Sequence, residues 1–291
     1  MRTVGVSHQF MLKPCDAETL KGVVERVCHL EGILKDPTLQ NVLGSVTELP
    51  VLPEIYRALR TALAREEVDI HEIGNIVSQD AGIASKVLQL VNSSFFGICR
   101  EISDLREATS YLGASTIRDL VLSFSMFQQL EPTAAIPGFS IESEQRHSLL
   151  CAQIARQLLD DKAAAAHASL AGMLHDVGTL VLATKLTPVL RKVMAASADS
   201  DLPRHEIERA VLGISHAEVG GYLLGLWGMA YPVVEAVAYH HRPSQVPDQT
   251  TFGVLGATHV ANALARELLA DESEPSQLNE DYLESLGVMN R

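Results

Sequence analysis

Apolar residues recur along this chain with a helical period almost throughout. After Pro53, a residue that favours the first turn of a helix, Ile55, Leu59 and Leu63 fall at i, i+4 and i+8. Asp69 is placed to cap a helix whose inward face is predicted as Ile70, Ile73, Ile76 and Val77. Asp80 is placed to cap the next, with Ile83, Val87, Leu90 and Val91 inward. Asn92-Ser-Ser94 then ends that helix, through a residue type that tolerates the left-handed conformation. Beyond Gly113, Ile117, Leu120, Val121, Phe124 and Phe127 share one side of a longer helix, an expected core element before it is any partner surface. No segment alternates apolar and polar residues over a convincing length. The expected fold class is all-α.

Two breaks interrupt the helical pattern. Glu131-Pro-Thr-Ala-Ala-Ile-Pro-Gly-Phe139 holds two prolines and a glycine and is the best internal boundary. Ser197-Ala-Asp-Ser-Asp-Leu-Pro203 separates two helices further on. The expected division is an N-terminal extension (1–44, with a helix over 20–34), a helical half (45–130), a second helical half (140–270) and an acidic tail (271–291). The tail carries a short helix around Tyr282 to Leu286.

Composition narrows the function classes. The chain of 291 residues is 47% hydrophobic, which excludes a disordered segment, and only 5% aromatic, which favours helices over a sheet sandwich. Its net charge of −13 argues against nucleic acid or an anionic membrane as the main partner. Cys15, Cys28, Cys99 and Cys151 form no C-x-x-C pair and read as ordinary thiols of a reducing compartment. Met1 to Lys13 has no signal-peptide apolar region, and no stretch has membrane-spanning length; a cytoplasmic location is expected.

The candidate chemistry lies after the first break. His147 shares a helix stripe with Cys151, Ile154 and Leu158. His175 and Asp176 follow an apolar helix and precede Gly178, which permits close backbone approach. Adjacent residues of a helix diverge by about 100°, so both can face one pocket only near a helix end. His216 lies on the face of Val219 and Leu223, and His240 and His241 follow Val233, Val234 and Val237. Five inward histidines and one aspartate suit one or two divalent transition metals (iron, manganese, nickel or zinc), in a site either occupied or kept as a relic. A helical scaffold whose histidines only bond one another is the bland alternative. His205-Glu-Ile-Glu208 reads as a solvated helix start, and His167, two turns before His175, either as a residue supporting the ligands from behind or as partly exposed. His8, His29 and His71 have no clustered partners, and Trp227 reads as packing at a helix end. No phosphate-binding glycine loop, G-x-S-x-G elbow or H-E-x-x-H pair is present.

The order H…HD…H…HH resembles the HD superfamily of metal-dependent phosphohydrolases. More closely, the chain is similar to HDOD proteins, the HD-related output domains of bacterial signalling. Leu49-Pro-Val-Leu-Pro53 resembles the opening motif of that family, and Ser78-Gln-Asp-Ala-Gly-Ile83 its D-P-x-L turn, with Ala81 for the usual proline. Lys86 to Gly97 is similar to the helix that ends in Asn-Ser. Ile102, Ala108 and Leu112-Gly113 fit the stretch after it. In the second half Gly172-Met-Leu-His-Asp-Val-Gly178, Ser215-His-Ala-Glu-Val-Gly220, Trp227-Gly228 and His240-His241 match, so that the resemblance spans about 45–265.

The resemblance implies an HD-like helical bundle with an added N-terminal helical subdomain, working by contact with signalling proteins and without robust catalysis. It also implies a late ligand, an aspartate in catalytic relatives, at Ala261-Asn262, where His259 lies one turn earlier. Asn262 offers a neutral carbonyl there, which weakens a divalent site. Arg242-Pro-Ser244 follows the histidine doublet in place of the D-G-x-G-Y-P loop of HD-GYP enzymes. No Lys or Arg cluster in the second half marks a phosphate pocket. The alternative is a metal-dependent phosphohydrolase acting on a phosphomonoester, phosphodiester or nucleotide. In it His147, His175, Asp176, His216, His240, His241 and Asn262 would form the metal shell, with Asp176 bridging or orienting the attacking water.

Overall fold

A computed structural model describes residues 35–44, 49–65, 67–93, 100–269 and 278–288, with Gly32 and Phe96. The expected helix over 20–34 and His8 and His29 lie outside these residues. The described secondary structure is helical, without strands. The chain divides into two compact units, Pro50–Leu130 on one hand and Met1–Leu49 with Glu131–Arg291 on the other. Helix α1 (Pro37–Gly44) belongs to the second.

In the unit of Pro50–Leu130, α2 (Glu54–Leu63) buries Tyr56, Leu59 and Ala62, while Ile55 and Leu63 lie half-buried beside that stripe. Asp69 caps α3 (Ile70–Ser78) by accepting from the His71 N–H at 2.8 Å. Ile73 and Val77 are buried, but Ile70 is exposed: at the first helical position its side chain points back past the end of the helix. Asp80 caps α4 (Ala81–Val91) through the Ile83 N–H at 3.0 Å, and Ile83, Val87 and Val91 turn inward, with Leu90 half-buried.

Asn92 ends α4 in right-handed geometry, with φ −84°, and not in the expected left-handed one. Its carboxamide serves a different purpose. Asn92 Nδ2 donates to the Ile102 carbonyl and Oδ1 accepts the Ile102 N–H, both at 2.7 Å, which pins the returning chain. Asp104 caps α5 (Leu105–Leu112), and α6 (Ala114–Gln129) buries Ile117, Leu120, Val121, Phe124 and Phe127 together. Helices α2, α4 and α5 all pack on α6.

The other unit is a bundle of α7 (Ile141–Gln157), α8 (Lys162–Leu174), α9 (Val177–Lys185), α10 (Thr187–Ala198), α11 (Arg204–Leu212), α12 (His216–Leu226), α13 (Tyr231–Tyr239) and α14 (Val254–Leu268). A 3-10 turn (Pro243–Gln245) and α15 (Glu280–Ser285) complete it. Helix α7 lies along α8 and α14, and α13 packs on α8, α12 and α14. Small side chains allow the close approach: Ala155, Ala168, Ala257 and Ala261 are fully buried where α7, α8 and α14 meet. Two glycines go further and let backbone touch backbone. A Cβ at Gly172 would meet the Ala152 backbone nitrogen at 2.8 Å, and one at Gly178 would strike the His216 carbonyl oxygen.

Candidate metal centre

These close approaches bring helix ends together. Residue His175 caps the C-terminus of α8, and Asp176 sits at the N-cap of α9, so two adjacent side chains face one point through the break between helices. His216 opens α12 and His240 closes α13. His147 comes from the second turn of α7, and Asn262 from the middle of α14. All seven predicted site residues are buried and meet in one place.

Hydrogen bonds fix which nitrogen faces inward. His175 Nδ1 lies 2.9 Å from the Gly172 carbonyl and His240 Nδ1 lies 2.8 Å from that of Val237, each three residues back along its own helix. Each Nδ1 is therefore a donor, and Nε2 is the nitrogen that faces Asp176. Asp176 stands between two groups. Its Oδ2 is 3.0 Å from His175 Nε2 and 3.9 Å from His147 Nε2. Its Oδ1 is 3.0 Å from His216 Nε2 and 3.7 Å from His240 Nε2. His241 Nε2 is 3.0 Å from His216 Nε2, and His147 Nε2 is 2.9 Å from Asn262 Oδ1.

Electrostatics sets one imidazole apart from the others. Burial presses the His216 pKa down, but Glu208, 2.6 Å from its Nδ1, and Asp176 hold it up at about 10. Burial, reinforced by His175, pushes His147 down to about 3. Burial likewise holds His240 and His241 well below the ordinary histidine range. Asp176 is fully buried, which opposes its charge, yet His175 and His216 keep its carboxyl well below the usual carboxylate range. The metal-free centre thus contains one imidazolium, His216, clasped by Glu208 and Asp176, with His147, His240 and His241 held neutral beside it.

The donor set fits a metal. Both Asp176 oxygens and His240 Nε2 are buried without an aligned hydrogen-bond partner, a costly state that a cation relieves. Asp176, His216, His240 and His241 each offer one ligand atom, all within 4.8 Å of one another, and His147, Cys151 and His175 form a second such group. Around a tetrahedral ion with bonds of about 2.0–2.1 Å, ligand nitrogens sit about 3.3 Å apart, close to the 3.0 Å between His216 and His241. Glu208 stands where a carboxylate would orient a metal-binding imidazole.

Several participants defied sequence reasoning. The segment from Arg204 to Glu208 is not a solvated turn: Arg204, His205, Ile207 and Glu208 are buried and only Glu206 is exposed. Glu208 goes inward because it accepts both the ring N–H and the backbone N–H of His216. The His205 ring stacks on His241 with centroids 4.1 Å apart. A basic pair also exists where none was expected. Arg204 Nη2 and Arg266 Nη2 each lie 4.0 Å from Asp176 Oδ2. The signals were faint but present: Arg204, Ile207 and Glu208 share a helix face, and Arg266 lies one turn beyond Asn262. His259 is not a member of the cluster. Its Nδ1 donates to the His240 carbonyl at 2.7 Å and its Nε2 accepts the Asn279 N–H at 2.9 Å. His167 is half-buried and His71 exposed.

Comparison with known proteins decides the family. The HDOD domain model matches residues 49–243. The chain belongs to the HDOD family. A Treponema pallidum (strain Nichols) protein of uncharacterised function is 24% identical over 209 residues, 72% of this chain and 40% of that protein, so the chain spans well under half of that relative's length. Among solved structures, an HDOD domain protein of unknown function from Geobacter sulfurreducens is 24% identical, with a TM-score of 0.70 over 90% of this chain and 88% of its own. A Shewanella amazonensis SB2B protein provisionally named a phosphohydrolase is 23% identical, covering 88% and 89%, with a TM-score of 0.66. A Marinobacter aquaeolei VT8 protein provisionally named for signal transduction is 22% identical, covering 92% and 60%, with a TM-score of 0.65. At these identities the likeness establishes the all-α HDOD fold. No described helix is long and apolar enough to cross a membrane.

Proposed function

We propose that this HDOD chain is a signal-relay module that acts through contact with signalling proteins, and that its His/Asp centre holds a metal without robust hydrolysis. The observation that carries this reading is Asn262 Oδ1, 2.9 Å from His147 Nε2. A neutral carboxamide occupies the place where a second carboxylate would complete the shell, and it engages one of the rings that would otherwise ligate. The ion would be held by Asp176 with His216, His240 and His241. When bound it supplies two positive charges and Lewis acidity at a buried point. The chain's own residues then do the rest. Glu208 fixes the His216 ring, and the Gly172 and Val237 carbonyls fix those of His175 and His240. The burial of every donor suits a centre that organises helix ends more than one that turns over substrate.

The reading is tested by restoring the carboxylate. Asn262→Asp is expected to tighten manganese binding by at least tenfold in a calorimetric titration of the full chain. Unchanged affinity would remove Asn262 from the shell and with it the ground for an incomplete site.

A metal-dependent phosphohydrolase is the second reading, favoured by Arg204 and Arg266 beside Asp176. Two guanidinium groups at that distance could hold the anionic phosphoryl group of a phosphomonoester, phosphodiester or nucleotide. Arg204 is also engaged by Glu144 at 3.0 Å, which supports a structural role as well.

A further inference from the structure

We propose that Cys151 supplies a thiolate ligand to a second, soft metal position formed with His147 and His175, taking the place of the carboxylate that Asn262 lacks. This rests on the metal-binding reading above and extends it to the kind of ion held. Cys151 lies one helical turn beyond His147 on α7, so both side chains leave the same face. The thiol is fully buried, its Sγ 3.4 Å from His147 Nε2, and His147 Nε2 is 3.2 Å from His175 Nε2.

Those spacings are the edges of a metal tetrahedron. Bonds of about 2.0–2.1 Å to nitrogen and 2.3 Å to sulfur place two nitrogens about 3.3 Å apart and a nitrogen and sulfur about 3.6 Å apart. The two edges that meet at His147, 3.4 Å and 3.2 Å, stand within a few tenths of an ångström of those lengths, and all three donor atoms lie within 4.8 Å of one another. Packing holds them there. The bare Gly172 backbone rests on Cys151 and Ala152, and the Gly172 carbonyl in turn anchors the His175 ring. Asp176 Oδ2 faces this group, while Oδ1 faces the other.

In the metal-free chain the thiol is protonated, because burial raises its pKa well above the ordinary value, and it donates to the Ala261 carbonyl at 3.6 Å. Metal binding exchanges that proton for the ion: one S–H bond breaks, one S–metal bond forms, and the proton leaves to solvent. Two imidazoles and a thiolate favour zinc, cadmium or cobalt over manganese, and a carboxylate oxygen as fourth ligand closes the shell in the manner of structural sites. Cys151 beside Asn262 thus makes this a soft position and not a hard one.

Cobalt(II) tests this directly. The full chain is stripped with a chelator and titrated with cobalt while its absorption is recorded. We expect an intense near-ultraviolet band from thiolate-to-cobalt charge transfer and two ions per chain. Cys151→Ser should lose the band and one ion, whereas His240→Ala should keep the band and lose the other ion. Cobalt binding to the unaltered chain without that band overturns the thiolate, and so does a Cys151→Ser chain that still holds two ions. Failure of the unaltered chain to bind cobalt at all overturns both this proposal and the metal-binding reading. The same titration on a chain with Cys15, Cys28 and Cys99 changed to Ser isolates the Cys151 thiolate even if Cys151→Ser fails to fold, and absence of the band there overturns the proposal.

Discussion

A single oxygen, Glu208 Oε2, receives both the ring N–H of His216 at 2.6 Å and its backbone N–H at 2.7 Å. The carboxylate therefore sets the position of α12's first residue and the charge of its ring together. Glu208→Gln keeps the shape and removes the charge. It is predicted to destabilise the metal-free chain by about 3–5 kcal/mol, since a buried charge pair loses one partner. Metal affinity should fall about 10- to 100-fold. Denaturant melts in chelator and calorimetric metal titration check the two effects. A stability loss with unchanged affinity would confine Glu208 to the fold.

The perturbed histidines predict how stability varies with pH. His216 is raised from 6.5 to about 10, so its contribution is full below pH 6.5 and fades as pH climbs through 10. His147, near 3, and His205, near 4, are depressed. The unfolded chain takes up their protons first, so stability also falls as pH drops below 6.5 towards those values. Metal-free protein should melt highest at about pH 6.5, with losses on both sides. Because the ion displaces the His216 proton, metal affinity should rise with pH between 6.5 and 10. Melting curves in chelator across this range, and affinity that ignores pH, would each expose an error in the charge assignment.

Much of this architecture could be read from residue pattern. Caps at Asp69 and Asp80, the stripe Ile83, Val87 and Val91, and the all-α class follow from periodicity because each is a local property. The convergence of the histidines was legible because each lies on an apolar face. What periodicity could not reveal was long-range pairing. Glu208 looks solvated until His216 is folded against it, and Arg204 and Arg266 look like surface charges until Asp176 is buried between their helices. Ile70 failed in the opposite sense, since an apolar residue at a helix's first position has nothing above it to pack on. Cys151 reads as an ordinary thiol unless the neighbouring helices α8 and α14 are in place.

Gly178 is where the backbone of α9 touches that of α12. A methyl group there would collide with the His216 carbonyl and sit 2.8 Å from the Gly220 nitrogen. Neither atom belongs to a flexible side chain, so relief requires the helices to part. Gly178→Ala is predicted to cost about 3 kcal/mol or more and to weaken metal binding in parallel. A melting temperature unchanged from that of the natural chain would contradict this contact.

His259 offers a contrast with the metal cluster. Both its ring nitrogens are already engaged, one by the His240 carbonyl and one by the Asn279 N–H. His259→Ala should lower stability by about 1–3 kcal/mol through the two lost bonds while the number of metal ions per chain stays the same. Loss of an ion on elemental analysis of the folded variant would place His259 inside the shell.

Asn92 is the analogous tie in the unit of Pro50–Leu130. Asn92→Ala removes both bonds to the Ile102 backbone and should cost about 2 kcal/mol, with no effect on metal content. A neutral effect on denaturant unfolding would mean that water replaces the carboxamide without loss.

The central claim is a metal-holding centre without robust hydrolysis, and turnover tests it most directly. The full chain, loaded with manganese, iron or zinc and analysed for bound metal, is assayed against p-nitrophenyl phosphate and bis-p-nitrophenyl phosphate beside a His175→Ala control. We predict bound metal and a rate no greater than that of the control. Metal-dependent turnover that His175→Ala abolishes would contradict the account and make this chain a phosphohydrolase.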